Sequence, residues 1–284
     1  MGFAETVVLG AIAGFTIFLG LPIGRIGDVT DRVRVALAMF SVGILVFIFM
    51  DVTSHGQEIV DASLTSFKDG KTGFGHVLAL FALLAAGFTV GSAGIASIER
   101  TLRRARPALA PIAGADSGLA FGADVQARFD RDARRAALRT GMTIAVAIGL
   151  HNFAEGLAIG VSAKTGAIAL ATVLVIGFGL HNATEGFGIV GPLGGVRPSW
   201  RWLALAGLVG GGPTFVGTIV GYQVHSDALE LCFYGLAGGA ILYVVGEIWT
   251  AMRRYGHRTL GLYLLSAGFL VGVATDLIVS YGGG

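Results

Sequence analysis

Long apolar runs alternate with short polar stretches along almost the whole chain. Eight runs are each close to the ~20 residues that an α-helix needs to cross the hydrocarbon core of a bilayer, and they cover residues 3–21, 33–51, 74–98, 140–163, 166–190, 202–224, 229–252 and 259–281. They are continuous and lack the apolar and polar alternation of transmembrane barrel strands. The pattern therefore predicts an all-α integral membrane protein with eight transmembrane helices.

The composition also indicates a membrane protein. Hydrophobic residues make up 54% of the 284 residues and charged residues only 13%, against about 25% charged residues in a typical soluble domain. The 46 glycines suit transmembrane helices that pack closely. Cys232 is the only cysteine, which excludes an intramolecular disulfide and a thiolate metal cage. We expect one polytopic membrane domain over residues 1–284, in the cell membrane as a multi-pass protein.

The distribution of basic residues predicts how the helices are oriented. Every arginine lies in the polar stretches after the first, third, fifth and seventh runs, whereas the three lysines, Lys68, Lys71 and Lys164, lie on the opposite side. The positive-inside rule then places both termini outside the cytoplasm. The outer side also holds acidic residues that are expected to attract cations: Glu5, Asp51, Glu58, Asp61, Asp69, Asp227 and Glu230.

The longest polar stretch is a predicted cytoplasmic basic loop over residues 100–139. Its first part contains Pro107 and Pro111 and is typical of a linker. Its second part, residues 123–139, mixes arginines with apolar residues, so it is either a helix that lies against anionic headgroups or a solvated loop. Because the topology explains the positive charge, no nucleic-acid partner is predicted.

One polar motif occurs twice inside otherwise apolar sequence. His151-Asn152-Phe153-Ala154-Glu155-Gly156 is followed thirty residues later by His181-Asn182-Ala183-Thr184-Glu185-Gly186. In each copy the histidine and the glutamate are at i and i+4, on one face of a helix. Imidazole, carboxylate and amide oxygen form a ligand set for zinc, iron(II), manganese or cadmium. A single copy is more simply explained by hydrogen-bonded packing, but two copies on consecutive helices favour a metal site.

Both motifs are expected at the middle of the membrane. His151 is about equally far along the chain from Arg139 and Lys164, and His181 lies near the centre of the next, antiparallel run. A carboxylate at this depth costs about 3 kcal/mol on insertion scales, so Glu155 and Glu185 need a cation, a proton or water. Transporters built on inverted repeats place their polar sites at this level. We predict a mid-membrane metal site between helices four and five.

Other polar residues are candidates for an ion path. Glu247 lies nearer the cytoplasmic end of helix seven and Asp276 nearer the outer end of helix eight; either is a path residue or a hydrogen-bonded packing partner. Asp51 and His55 lie at the predicted outer entrance. Surface histidines are commonly only solvated, so a metal-collecting role for His55 competes with that simpler interpretation.

The two HNxxEG motifs, within eight helices, resemble the ZIP family of divalent metal transporters, in particular its GufA-like prokaryotic branch. Residues 239–247, which end in Glu247, are similar to the seventh helix of that family. The resemblance implies that zinc is the favoured substrate, with iron, manganese and cadmium as further candidates, and that no separate cofactor is needed. It also implies a homodimer and an elevator-like motion of the site-bearing helices.

The resemblance assigns roles to the motif residues. His151, Glu155, His181 and Glu185 match the primary metal ligands, and Asn152 and Asn182 match ligands of a neighbouring second position bridged by the two glutamates. Many members also have a glutamate just before a proline in helix six, where this chain has Gly211-Gly212-Pro213. If Gly212 faces the motifs, it stands in the place of that glutamate; the alternative is that it only allows close helix packing. Because the second position lacks that carboxylate, we expect the site to hold one tightly bound metal.

An intramembrane metal-dependent hydrolase is the alternative function. Zinc proteases of this kind carry H-E-x-x-H on a helix, and neither motif has that spacing. We therefore predict a transporter that moves metal into the cytoplasm, and not an enzyme.

Overall fold

The computed structural model describes residues 1–26, 29–104, 118–166, 168–223 and 226–283. Within these ranges the chain forms helices and no strands. The helices are α1 (Phe3–Phe15), α2 (Ile17–Gly20), α3 (Asp31–Lys68), α4 (Phe74–Thr89), α5 (Ile95–Arg104), α6 (Gly118–Lys164), α7 (Ile168–Val190), α8 (Trp200–Gln223), α9 (Asp227–Arg253) and α10 (Arg258–Gly283). Short 3₁₀ turns follow α2 and α7, at Leu21–Arg25 and Gly191–Leu193, and the π-helical turn Val90–Gly94 joins α4 to α5.

Seven helical stretches in the described residues are long and apolar enough to cross a membrane. They are Phe3–Arg25, Asp31–Lys68, Phe74–Thr101, Ala127–Lys164, Trp200–Gln223, Asp227–Arg253 and Arg258–Ile278. The remaining predicted run, residues 166–190, is also helical as α7 but is not one of the seven. The all-α membrane fold is confirmed, whereas the count of eight spans and the outer location of both termini stay predictions.

Helix α3 is much longer than the apolar run that predicts it. The Thr30 hydroxyl caps its start by accepting a hydrogen bond from the Val33 N–H at 3.4 Å. Its end at Lys68 is followed, two residues later, by Gly70, whose φ is +72°. Between Asp51 and that glycine the sequence becomes polar but contains no proline. The helix therefore continues beyond the apolar part, because loss of hydrophobicity does not by itself break a helix.

The predicted loop over residues 100–139 is largely helical where the structure describes it. Helix α5 extends to Arg104, and α6 begins at Gly118 and continues without interruption to Lys164. The stretch 123–139 is therefore helical and continuous with the membrane helix α6, which corrects the alternative of a solvated loop. Its position relative to the headgroups stays a prediction. Residues 105–117, with Pro107 and Pro111, lie outside the described residues.

The helices pack in two groups. The site-bearing group contains α1, α2, α6, α7 and α8, and the flanking group contains α3, α4, α5, α9 and α10. Contacts between the groups run mainly through α6 with α9, α7 with α10 and α7 with α3. Both motifs belong to the site-bearing group, since one is on α6 and the other is on α7.

Glycines bring α6 and α8 into direct backbone contact. A side chain at Gly156 or Gly160 would collide with the main chain of α8, and one at Gly217 or Gly221 would collide with the main chain of α6. Each pair has the GxxxG spacing that lets two membrane helices approach closely. This packing fixes the position of α6, which carries the first motif.

Candidate metal site

The four histidine and glutamate side chains of the motifs meet between α6 and α7. His151 Nε2 lies 3.1 Å from Glu155 Oε1 and 3.8 Å from Glu185 Oε1, and His181 Nδ1 lies 4.0 Å from Glu155 Oε1. All four residues are buried, with 7% of His181 exposed and less of the others. The i, i+4 spacing aligns each pair on one helix face, and the packing of α6 against α7 brings the two pairs together.

The spacing of the donor atoms suits a metal ion, although the shell is not yet formed. In a tetrahedral zinc site with bonds of ~2.0–2.1 Å, neighbouring donors are roughly 3.3 Å apart, close to the 3.1 to 4.0 Å seen here. As they stand, however, no three His, Cys, Asp or Glu side chains among the described residues are arranged to hold a metal ion. The side chains have to rotate toward a common centre to bind one.

Unsatisfied polar atoms are concentrated at this place. Both ring nitrogens of His151 and His181, together with Glu155 Oε2 and Glu185 Oε1, are buried without a hydrogen-bond partner. Buried polar groups are nearly always paired, and an isolated buried charge is expensive. The centre between α6 and α7 is therefore suited to receive a cation.

The two asparagines of the motifs donate hydrogen bonds from their side-chain amide nitrogens. Asn152 Nδ2 donates to Glu185 Oε2 at 3.1 Å and to the Gly210 carbonyl at 2.9 Å. Asn182 Nδ2 donates to the Ala13 carbonyl at 3.0 Å. Both Oδ1 atoms remain buried without a partner, so each amide keeps its oxygen as a free acceptor.

A break in the first membrane helix provides the partner of Asn182. Helix α1 ends at Phe15 and α2 begins at Ile17, and at this break the Ala13 carbonyl accepts hydrogen bonds from Thr16 Oγ1 and Asn182 Nδ2. The sequence does not predict this feature, because the apolar run continues through Thr16. The only signal is a threonine after the pair Gly14-Phe15, which is too weak to use.

Two phenylalanines surround the His181 ring. The ring centroids of Phe47 on α3 and Phe178 on α7 both lie 6.4 Å from that of His181, within the usual range for aromatic contacts. Phe47 comes from the flanking group, so one wall of the site belongs to the other group of helices. Sequence analysis does not identify either phenylalanine, since apolar residues fill the whole run.

Asp51 and His55 continue outward along α3 from Phe47. The three residues are spaced at i, i+4 and i+8, and therefore lie along one face of the helix. His55 Nδ1 donates to the Asp51 carbonyl at 3.0 Å and lies 3.6 Å from Asp51 Oδ1. Asp51 also interacts electrostatically with His151 and with Asp276 of α10. The structure thus places Asp51 between the predicted entrance and the central residues.

Glu247 does not lie among the central residues. It is half-buried on α9, one turn after Tyr243, whose hydroxyl donates a hydrogen bond to Glu99 Oε2 at 2.5 Å. Glu99 is only 5% exposed, and sequence analysis does not identify it because it stands just before the arginine-rich stretch. Two acidic residues therefore lie near Tyr243 at the arginine-rich end of the molecule.

Comparison with known proteins identifies the family. The family described as ZIP zinc transporter matches residues 124–275, which is more than half of the chain. The zinc transporter ZupT of Corynebacterium glutamicum is 30% identical over 272 residues, covering 91% of this chain and 95% of that protein. The chain belongs to the ZIP family. The zinc transporter ZupT of Clostridium perfringens is 37% identical over 147 residues, which are 50% of this chain and about half, 51%, of that relative.

Membership of the ZIP family confirms the resemblance drawn from the two motifs. The matched range 124–275 contains both of them. The matches are to transporters and give no support to an intramembrane hydrolase. The assignment to a GufA-like branch stays a prediction, because neither relative distinguishes it.

Gly212 does not face the site as expected from the ZIP pattern. A side chain there would have no atom within 4 Å, and Gly212 shares its helix face with Leu208 and Val216, which are 54% and 47% exposed. The buried face of α8 instead contains Gly210, whose carbonyl binds Asn152. The adjacent Pro213 indicates depth along the helix but not the direction in which each residue points.

Proposed function

We propose that this chain carries divalent transition-metal ions, most favourably zinc, into the cytoplasm through a site made by His151, Glu155, His181 and Glu185. The observation that supports this most directly is the burial of these four side chains together, with donor atoms that have no partner in the described structure. The zinc transporter ZupT relatives support zinc as the substrate.

Charge balance favours one ion at a time. Glu155 and Glu185 carry two negative charges when ionised, and one divalent cation neutralises both. A second cation would add two positive charges with no new carboxylate, at a depth where charges are poorly screened. Gly212 supplies none, because it faces away. We therefore propose one tightly bound metal, with the Oδ1 atoms of Asn152 and Asn182 offering a weaker neighbouring position.

The ion path that we propose begins at the acidic outer end of α3. Asp51 and His55 lead inward from there toward His151 and Glu155, with which Asp51 interacts electrostatically. Glu247 serves the exit at the arginine-rich end, where the buried Glu99 lies near it. Assembly into a homodimer is a further proposal, and it rests on the family alone.

Uptake of radioactive zinc into proteoliposomes tests the shared site. His181→Ala and Glu155→Ala should each abolish nearly all metal-dependent flux, because either change leaves the remaining buried donors without a complete shell. For the same reason the double variant should be little worse than either single variant. His76→Ala is the control, since this histidine is exposed, and it should retain wild-type uptake.

Two results would contradict the proposal. Losses that multiply in the double variant would indicate two independent sites. Wild-type flux in either single variant would remove that side chain from the path. If zinc is transported and substitution of these four residues has no effect on the flux, the proposed function stands and only the proposed site is rejected.

A further inference from the structure

A cavity lies at the arginine-rich end of the flanking group, away from the metal site. It has a volume of about 420 Å³ and lies between α3, α9 and the start of α10. Its floor is apolar, formed by Val35 and Met39 of α3 and Met252 of α9, none more than 3% exposed. The volume is within the ~300–1,000 Å³ that is typical of pockets for organic molecules.

The mouth of this cavity is basic. Arg253, His257 and Arg258 line it, and all three are exposed. Neither arginine makes a hydrogen bond or ion pair within the described residues, and no acidic residue is among those that line the cavity. The adjacent Arg254 differs, since its Nη2 donates to the Pro192 carbonyl and to the Tyr255 hydroxyl. The two arginines at the mouth are therefore available to an external anion.

The backbone at the mouth is held in an unusual conformation. His257 has φ of +54° and is the only non-glycine residue with a positive φ in the described part of the chain. Such a conformation is disfavoured for a residue with a Cβ, and it marks places where the surrounding structure imposes it. The connection between α9 and α10 thus turns tightly here and holds His257 beside the two arginines.

The cavity also opens toward apolar surroundings. Leu262 at its rim is 42% exposed and the following Tyr263 is 70% exposed. Trp249, which also lines the cavity, is half-buried, and tryptophan is typical of the level at which headgroups meet hydrocarbon. The cavity therefore offers a basic end at the predicted cytoplasmic surface and an apolar end within the bilayer.

We propose that this cavity binds an anionic phospholipid of the cytoplasmic leaflet. The phosphate lies between Arg253 and Arg258 with His257 beside it, and the first part of an acyl chain occupies the apolar floor. A free phosphate ion would use the arginines but would gain nothing from Val35, Met39 and Met252. Basic pockets between membrane helices on the cytoplasmic side are suited to anionic headgroups.

Native mass spectrometry of the purified full-length protein tests this proposal, with phosphatidylglycerol and phosphatidylcholine of identical acyl chains as probes. The wild type should retain phosphatidylglycerol in preference. The double variant Arg253→Gln/Arg258→Gln should bind it roughly thirtyfold more weakly, since each basic residue near the headgroups contributes about fivefold. The matched control Arg128→Gln/Arg131→Gln removes two exposed arginines of α6 and should bind like the wild type.

Gly261→Leu tests the apolar part separately. Its first side-chain atom would lie 3.2 Å from Met39 Cγ and 3.5 Å from Val35 Cγ1, so a leucine fills the floor while both arginines remain. This variant should also lose phosphatidylglycerol, and millimolar inorganic phosphate should not displace the lipid from the wild type. If Gly261→Leu does not fold, the phosphate competition decides the same point.

The proposal is overturned by any of three results. These are equal binding of the two lipids by the wild type, a loss of binding in the α6 control as large as that in the Arg253/Arg258 variant, and complete displacement of the lipid by phosphate. The last result would indicate a site for a free anion. Retention of lipid by a folded Gly261→Leu would likewise reject the acyl-chain position.

Discussion

Inside each group, glycines bring the helix backbones into direct contact, whereas the two groups contact each other through side chains. In the site-bearing group, a side chain at Gly14 would collide with the backbone carbonyl of Gly211; in the flanking group, one at Gly43 would collide with the backbone carbonyl of Leu265. Between the groups, Gly188 of α7 faces only the side-chain atoms Ser41 Oγ at 2.9 Å and Ile248 Cδ1 at 3.2 Å.

This difference has a mechanical consequence. Backbones in direct contact cannot shift without separating two helices, whereas side chains can change rotamer and repack. Each group is therefore expected to behave as a rigid unit, and the surface between them is where sliding is easiest. Such sliding agrees with the elevator-like motion that the family resemblance implies, and it stays a prediction for this chain.

The largest expected effect is the loss of folding when a helix pair inside one group is forced apart. In Gly160→Leu the new side chain would lie 2.5 Å from Tyr222 N and 2.8 Å from Gly221 C, and neither backbone atom can move aside. We expect a cost at or above the ~3 kcal/mol upper end of ordinary overpacking, measured as loss of monodisperse protein in size-exclusion chromatography and a lower Tm.

Gly212→Leu is the matched control for that change. It is on α8 of the same group, but a side chain there meets no atom within 4 Å. The variant should purify and unfold like the wild type. Equal damage from both leucines would mean that the outward direction of Gly212 or the tight packing of Gly160 is wrong.

The next largest effect is the loss of zinc uptake when the two groups are linked by a disulfide. A Cβ at Gly188 lies 3.8 Å from Ser41 Cβ, which is the average separation in a disulfide. In a Cys232→Ala background, oxidation of Ser41→Cys/Gly188→Cys should link α3 to α7 and stop zinc uptake almost completely, because the groups can no longer slide. Addition of a reductant should restore uptake, as measured in proteoliposomes.

A disulfide inside the flanking group serves as the comparison. A Cβ at Gly261 lies 4.0 Å from Met39 Cβ, so Met39→Cys/Gly261→Cys links α3 to α10 with similar geometry and only two positions away on α3. This pair should form a disulfide and leave uptake unchanged. Full uptake with the Ser41/Gly188 link in place would instead show that the two groups do not move relative to each other.

The sequence was sufficient to predict that the four central residues lie together, but not which residues pack around them. Histidine and glutamate at i and i+4 are conspicuous in apolar helices, and their repetition at one depth predicts that they meet. Phe47 is one apolar residue among many in its run. Its contact with His181 depends on the packing of α3 against α7, for which the sequence carries no local signal.

The same distinction explains the errors in the fold. Hydrophobicity marks where a chain crosses a bilayer, whereas glycine, proline and caps mark where a helix ends, so α3 and α6 extend beyond their apolar runs. Gly212 illustrates the same point. Its depth follows from distance along α8, but its direction depends on which neighbours that helix has.

The smallest expected effect comes from a single contact between the groups at their arginine-rich end. Arg254, at the end of α9, donates from Nη2 to the Pro192 carbonyl after α7 at 3.0 Å, and its guanidinium lies 4.8 Å from the centre of the Tyr255 ring. Because Arg254 is exposed, this contact contributes about 1 kcal/mol or less.

Arg254→Gln should therefore leave the Tm unchanged and raise the initial rate of zinc uptake at saturating zinc by no more than about fivefold. Arg100→Gln removes an exposed arginine in the middle of α5 of the flanking group and should leave the rate as it is. A rate increase in both variants would point to surface charge as the cause, and a lower Tm in Arg254→Gln alone would mean that this contact stabilises the fold instead of restraining movement between the two groups.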